Sequence, residues 1–277
     1  MHLELFGVRG TCPVAPRRGT VFGGHTPCAL IRAAAGEALI IDAGTGLRPL
    51  EDRLRRERPG SPGPFHFLFT HFHFDHVIGL PFFRSLYLKK ADLRFYSALT
   101  PAMFRRRIGG FMTEPYFPVE FGTTPSQKKF QRIGARSARI GGAFVSACPL
   151  NHPQGSVAFR IEENGRSVVF ATDTEHYAEG VDARLARFAL GADVLIYDAT
   201  FTPSEYAEGK QGWGHSTWAA GVELARAAGV GRLLLSHLNP DHSDADLRRI
   251  EVAARKVFAQ TACAREGMSL RLEKRPT

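Results

Sequence analysis

The sequence predicts an α/β fold built on two β-sheets, and three features predict it. Short apolar runs recur along the chain, helical runs are set between them, and a second group of strands with its own hairpin turn follows a long broken stretch. Leu3–Val8 reads as the first strand, ended by Arg9-Gly10-Thr11-Cys12-Pro13, after which a glycine- and proline-rich loop reaches Pro27. Ala29–Ala33 and Ala38–Ile41 follow as strands, and the turn Ala34-Ala35-Gly36 between them predicts an antiparallel pair. Asp42-Ala43-Gly44-Thr45-Gly46 closes the second of these before a helical run, Leu47–Arg58. The apolar Phe65–Phe69 is short enough to be a buried strand, and Val77-Ile78-Gly79-Leu80 opens helix-like sequence that reaches about Lys90. Leu93–Tyr96 is the next strand. Residues 101–121 carry Met103, Phe104, Phe111, Met112, Tyr116, Phe117 and Phe121 between glycines and prolines, and read as a lid or dimer contact. A helical pair packed on the core is the competing reading of that segment. Phe130–Ile133, Ala143–Ala147, Val157–Ile161 and Val168–Ala171 form the later run of strands, with Asn164-Gly165 as a hairpin turn, and imply the second sheet.

Composition bounds the function. The chain has 277 residues, 44% hydrophobic and 23% charged, which is ordinary for a globular protein with a sizeable core. No apolar run approaches the roughly 20 residues a membrane span needs. Met1-His2-Leu3-Glu4-Leu5-Phe6 lacks the basic and then apolar pattern of a signal peptide, so a cytoplasmic location is expected. Cys12, Cys28, Cys148 and Cys263 are widely separated, which argues for buried free thiols over disulfides or a four-thiolate zinc site. The net charge of +9, carried mostly by arginine, favours anionic partners such as nucleotides or nucleic acid, although solvated helix faces explain arginine runs equally well.

The densest chemistry lies at Thr70-His71-Phe72-His73-Phe74-Asp75-His76, directly after a predicted strand. In near-extended backbone, side chains two apart point the same way, so His71 and His73 can converge on one ion. Asp75 and His76 then serve a second ion, because imidazole and carboxylate both ligate zinc and similar divalent metals. Further single candidates stand at strand ends: Asp42, His152 in Asn151-His152-Pro153, Asp173 in Thr172-Asp173-Thr174, and His237 in Leu235-Ser236-His237. Taken alone, each reads equally well as a turn residue or a helix cap.

The run from His71 to His76 resembles the H-x-H-x-D-H signature of the metallo-β-lactamase superfamily of hydrolases, and the order His152, Asp173, His237 is similar to that of its later ligands. The resemblance implies one metal held by His71, His73 and His152, another by Asp75, His76 and His237, and Asp173 between them. Asp42 would then orient a ligating imidazole. It also implies a single αββα sandwich of two mixed sheets with helices outside and the two metals at one edge. Zinc is the expected metal, with manganese and iron accepted by the same donors.

Within the superfamily, Gly212-Trp213-Gly214-His215-Ser216-Thr217, at the start of a predicted helix, and Asp198 in Tyr197-Asp198-Ala199-Thr200 resemble the ribonuclease Z-like phosphodiesterase branch. There the resemblance implies His215 as general acid and substrate contact, Asp198 as its orienter, and Asp75 among the catalytic groups. Gly7-Val8-Arg9-Gly10 and the Gly110-Phe111-Met112 to Pro118 insert resemble small bacterial members, some of them cyclic-nucleotide phosphodiesterases. Arg9 and His25 are taken as substrate contacts, His25 standing where the branch has asparagine. His242 is open between a substrate contact and a turn.

The expected reaction is hydrolysis of a phosphodiester, with attack by hydroxide generated at the metal pair. The stretch between His152 and Asp173 is too short for the long transfer-RNA-binding arm of true ribonuclease Z enzymes, so a small cyclic nucleotide is favoured over RNA. A thioester or lactone hydrolase and a nucleotide-binding sensor without turnover are the rival readings. A homodimer through 101–121 is the partner expectation, together with no membrane.

Overall fold

The computed structural model describes residues 1–15, 20–34 and 36–273. Residue 35 of the predicted turn and residues 16–19 of the glycine- and proline-rich loop lie outside it. Two seven-stranded mixed sheets form the body. The first takes β1 (His2–Gly7), β2 (Cys28–Arg32), β3 (Ala38–Ile41), β4 (Phe65–Phe69), β5 (Asp92–Ser97) and β6 (Gln127–Arg132), with a late strand added at its edge. The second takes β7 (Ala138–Ile140), β8 (Ala143–Leu150), β9 (Ser156–Glu163), β10 (Arg166–Ala171), β11 (Val194–Asp198), β12 (Leu233–Ser236) and β13 (Thr261–Cys263). The late strand is β14 (Ser269–Arg271), which pairs with β1.

Alternation in the first sheet explains the layering. Leu39, Ile41 and Leu68 face the other sheet and share a core with Val145, Phe159 and Val169, while Ile40, Phe67 and Phe69 turn the opposite way. That second face is covered by α1 (Leu47–Glu57) through Leu47, Leu50 and Leu54. The outer face of the second sheet is covered by α6 (Trp218–Ala227) and α7 (Asp244–Val257), which bury Val222, Leu224, Leu247 and Ile250. The result is helix, sheet, sheet, helix. Between α1 and α6 lie α2 (Phe74–Val77), α3 (Pro101–Gly109), α4 (Ala183–Phe188) and α5 (Pro203–Ala207).

The structure corrects the sequence reading in four places. The helix expected to reach Lys90 is only the four-residue α2 followed by two 3-10 turns, Leu80–Phe82 and Arg84–Tyr87, because Pro81 supplies no donor for a continuing helix. Residues 101–109 are a regular helix, capped by the Thr100 hydroxyl and started by Pro101, and Phe104, Ile108 and Met112 sit in the core. Phe130–Ile133 belongs to the first sheet, as β6 beside β5. Cys12 is exposed, whereas the other three thiols are buried.

β3, β4, β5 and β6 run parallel, as do β10, β11, β12 and β13. Parallel strands release their loops at the same end, and it is there that Asp42, His71, Asp173, Asp198 and His237 emerge. Asn164 and Gly165 both have positive φ, 52° and 72°, in the tight turn that joins β9 to β10.

Candidate metal centre

The loop after β4 folds its histidines inward. His71 and His73 rings lie 4.5 Å apart, and His152, at the end of β8, comes within 4.9 Å of both. His73 Nδ1 and His152 Nε2 approach to 3.2 Å. Beside this trio lie Asp75, His76, Asp173 and His237, all buried. His76 Nε2 stands 3.3 Å from Asp75 Oδ2 and 3.2 Å from Asp173 Oδ2, and His237 Nε2 stands 3.2 Å and 3.1 Å from Asp75 Oδ2 and Asp173 Oδ1. Asp173 reaches across to the trio, its Oδ1 lying 3.7 Å from His71 Nε2. The seven residues named as ligands from the sequence are thus brought into two adjoining clusters.

The donors fit divalent ions on two observations. His71 Nε2, His76 Nε2 and Asp173 Oδ2 are buried without any hydrogen-bond partner, which a folded protein tolerates only where something else satisfies them. In addition, the second nitrogen of each ligating imidazole is already occupied, which fixes which nitrogen faces the centre. His71 Nδ1 meets the Thr70 hydroxyl at 3.2 Å, His76 Nδ1 meets Asp42 Oδ2 at 2.8 Å, and His237 Nδ1 meets the Thr200 hydroxyl at 2.9 Å. His152 Nδ1 donates to the Gly214 carbonyl at 2.8 Å, and His73 Nε2 donates to Gln154 Oε1 at 2.7 Å. Two glycines make room for the rings: a Cβ at Gly10 would overlap His237, and one at Gly214 would overlap His152.

Electrostatics divides the centre. Burial, reinforced by neighbouring imidazoles, pushes the His71 proton affinity well below the ordinary value, and burial lowers that of His152 too, leaving neutral rings ready to ligate. Burial also opposes the charged form of His76, yet Asp173, Asp75 and Asp42 lift it well above the usual histidine value. Burial acts the same way on His237, and Asp173 with Asp75 raises it to about 10. The carboxylates therefore demand positive charge at their centre. Asp173 and Asp75 both lie well below the carboxylate range, because these imidazoles outweigh the burial that would raise them.

Beside the two clusters stands His215. Its ring stacks on His237 at 4.7 Å and lies 5.5 Å from His152, and its Nδ1 is 2.9 Å from Asp198 Oδ2. Asp198 is wholly buried and also accepts from the backbone N–H groups of Asp173, Thr200 and Ser216 and from the Thr200 hydroxyl. Burial would raise its proton affinity, but His215 and its other donors hold it below the ordinary value. Those partners also make Asp198 a hub for hydrogen bonds, although its carboxylate lies close enough to His215, His237 and Asp173 to complete a third donor group. His215 lies three residues ahead of the first residue of α6, whose cap is the Thr217 hydroxyl.

Arg9 and His25 are placed differently from the sequence expectation, and of the two readings of His242 the structure shows the turn. Arg9 is buried, and its guanidinium donates to the carbonyls of Gly23, Asn239 and His242, so it ties two loops together instead of meeting substrate. His25 Nδ1 meets the Thr45 hydroxyl at 3.1 Å, behind the loop that carries Asp42. His242 Nε2 meets Glu205 Oε1 at 2.8 Å in a turn.

Four further residues escaped the sequence reading. Thr70, Thr200 and Gln154 fix ligand rings. Glu175 accepts from the Tyr206 hydroxyl at 2.6 Å and from the N–H groups of Gly212 and Gly214 at 2.7 and 2.8 Å, which pins the loop whose Gly214 carbonyl holds His152. Thr70 and Thr200 stand next to, or two residues from, quoted site residues, which is the only local signal for them. Gln154 and Glu175 stand two residues from His152 and Asp173 in the same way.

Residues 38–265 match the family model of the beta-lactamase superfamily domain. A ribonuclease Z from Gemmatimonas aurantiaca is 30% identical, over 93% of this chain and 93% of its own. Among solved structures, the metallo-beta-lactamase fold protein YhfI from Bacillus subtilis superposes with a TM-score of 0.73 at 20% identity, covering 97% of this chain and 98% of that one. The short form of human tRNase Z superposes with a TM-score of 0.65 at 19% identity, covering 99% and 100%.

Proposed function

Because the chain belongs to the beta-lactamase superfamily, we propose that it is a dinuclear metal-dependent phosphodiesterase acting on a small nucleotide, a cyclic one being the expected substrate. The observation that carries the reading is the His215–Asp198 pair set against the two donor clusters. Divalent ions in those clusters, zinc foremost, would polarise a phosphoryl oxygen and lower the pKa of a water shared between them.

The chain's own residues supply the rest. His71, His73 and His152 would hold one ion and Asp75, His76 and His237 the other, with Asp173 placed to serve either. Asp42 and Thr200 keep His76 and His237 turned toward the centre through their Nδ1 atoms. Asp198 engages His215 at Nδ1, which leaves Nε2 free to hand a proton to the departing oxygen of a phosphodiester. Thioesters, whose thiolate departs readily without a proton, gain less from such an acid placed beside the metals. Among the described residues no helix is long and apolar enough to cross a membrane, and a cytoplasmic setting is part of the reading.

The ribonuclease Z relative favours RNA as a second reading. Against a long RNA-gripping arm between the middle ligands, residues 156–171 are a plain hairpin, β9 and β10 joined at Asn164 and Gly165. Metal-replete protein should turn over bis-p-nitrophenyl phosphate and a cyclic mononucleotide, but neither a thioester nor a precursor transfer RNA. His215→Ala should lower phosphodiester turnover by about a hundredfold with metal content intact. A loss smaller than about tenfold removes the acid role.

A further inference from the structure

A cleft of about 450 Å³ opens directly beside the histidine trio, and no step described above uses it. His71 and His73 form part of its wall, so whatever fills it lies against the donor clusters. The opposite wall comes from the segment after β5 and from the 101–121 insert, chiefly Leu99, Arg107 and Phe111. Its volume falls within the range of small-ligand pockets and suits a nucleoside-sized group.

The chemistry of the walls is specific. Phe74 is 65% exposed, an unusual position for a large aromatic ring, and it faces Phe111 with ring centroids 6.1 Å apart. Phe72, another wall residue, is stacked on Phe69 and meets Phe104 edge to face, so the floor beneath the cleft is rigid aromatic core. No carboxylate lines the cleft among the described residues, and Arg107 is its one guanidinium. Gln154 joins the cleft to the centre: it lines the wall, its Oε1 takes the His73 Nε2–H, and its backbone is held at φ 63°.

From this juxtaposition we infer that the cleft is the base-and-sugar subsite of a mononucleotide-sized phosphodiester. The base stacks against Phe74 and Phe111, Arg107 on the opposite wall donates to oxygens of the base or sugar, and the phosphoryl group reaches the centre past His71 and His73. The insert is then a specificity wall, which selects a substrate ending in a planar group. This inference rests on the phosphodiesterase reading for its substrate and adds where the non-reacting half binds.

The test compares two esters with the same leaving group, thymidine 5′-phosphate p-nitrophenyl ester and methyl p-nitrophenyl phosphate, on the metal-replete full chain. Phe111→Ala removes one stacking ring, and Leu99→Trp fills the cleft. Each should cut the preference for the nucleotide ester over the methyl ester by about tenfold, the scale of one lost base-stacking contact, and mainly through KM. Tyr116→Ala, on the same insert but outside the cleft, should leave the preference unchanged. Equal effects on both esters, or none, would overturn the subsite. If the wild type turns over neither ester, the phosphodiesterase reading fails, and calorimetric binding of thymidine 5′-monophosphate decides the subsite by itself. Weakening by Leu99→Trp supports it, and identical binding to wild type and Leu99→Trp overturns it.

Discussion

Asp198→Asn should separate the support of His215 from the rest of the scaffold, because the substitution keeps the shape and removes only the charge and one acceptor. Asp198 Oδ1 takes the Thr200 N–H at 3.0 Å, the Thr200 hydroxyl at 2.9 Å and the Ser216 N–H at 3.1 Å, while Oδ2 takes the Asp173 N–H at 3.0 Å and His215 Nδ1 at 2.9 Å. An asparagine can present its one oxygen to the crowded Oδ1 side. Its amide then points at the Asp173 N–H and at His215, donor against donor on the first and without a carboxylate on the second. Two bonds to a charged acceptor are lost in a buried place, at roughly 1.5–3 kcal/mol each. Against a total stability of about 5–15 kcal/mol, the variant should fold with a melting temperature lower by on the order of 10 °C.

Activity should fall further than stability. Without the carboxylate, nothing offsets the charge of a His215 imidazolium, and the ring is free to settle with Nδ1 as acceptor, so turnover of a cyclic mononucleotide, whose alkoxide leaving group needs the proton, should drop by about 10²–10⁴. The assay pairs that turnover with metal content and with the double variant Asp198→Asn/His215→Ala. If Asp198 acts through His215, the double variant is no slower than His215→Ala alone. A fully metal-loaded Asp198→Asn within threefold of wild type, or fully additive losses, would refute the reasoning.

Three other outcomes follow from the same geometry. Chelation strips the partners of His71 Nε2, His76 Nε2 and Asp173 Oδ2, so it should abolish activity and lower the melting temperature by on the order of 10 °C, reversibly on adding Zn²⁺; an unmoved melting temperature in EDTA would contradict a centre held by those atoms. Glu175→Ala frees the Gly212 and Gly214 N–H groups and slackens the carbonyl that orients His152, so one equivalent of metal should bind about 10- to 100-fold more weakly, and unchanged titration curves for both equivalents would exclude the link. Glu51 is buried with Oε2 unpartnered, and burial raises its carboxyl from the ordinary range to about 7. The folded form thus holds a proton that the unfolded form releases near 4.5, and stability drains away as pH climbs from there through about 7. Glu51→Gln should therefore melt on the order of 10 °C higher than wild type at pH 8, with most of that difference gone at pH 5; a pH-independent difference would count against it.

Much of this could be read from the sequence, and the reasons differ by element. Ala38–Ile41 and Phe65–Phe69 were legible to the residue because an apolar run, interrupted only by His66, ends at a polar residue, Asp42 in one case and Thr70 in the other. Residues 101–109 were misread although the helical signal was present. Thr100-Pro101 is a start, and Phe104, Ile108 and Met112 repeat at helical spacing, but the aromatics and glycines that follow hide the pattern. Of the seven clustered residues, His71, His73, Asp75 and His76 were legible from their density in one short run, whereas His152, Asp173 and His237 were legible only through their order along the chain, which resembles that of the superfamily's later ligands. Arg9 misled, since a charged residue near the site reads as a substrate contact until the fold covers it with three carbonyls. Thr200 and Glu175 were illegible because their meaning lies in partners far away in the chain, His237 and Gly212 to Gly214.

The backbone shows why these parts form a centre before any ion arrives. Six described non-glycine residues have positive φ, and apart from the hairpin residue Asn164 all border the centre: Thr11, Asp42, Gln154, Asp173 and His237. Such conformations are disfavoured and persist only where the surroundings hold them. Here they are held. The Asp42 N–H donates to the Leu68 carbonyl, the Asp173 N–H to Asp198, the Thr11 N–H to Asp75, and the His237 Nδ1–H to the Thr200 hydroxyl. A strand that kept its course past its last pair would carry the next side chain along the sheet. The left-handed turn instead swings it toward the facing sheet, and three such turns, at Asp42, Asp173 and His237, bring the two edges to a common point. Glycine would relax those turns but carry no ligand. The strain is therefore tied to the identity of the side chains, and the hydrogen bonds that hold it are the same ones that fix the rings.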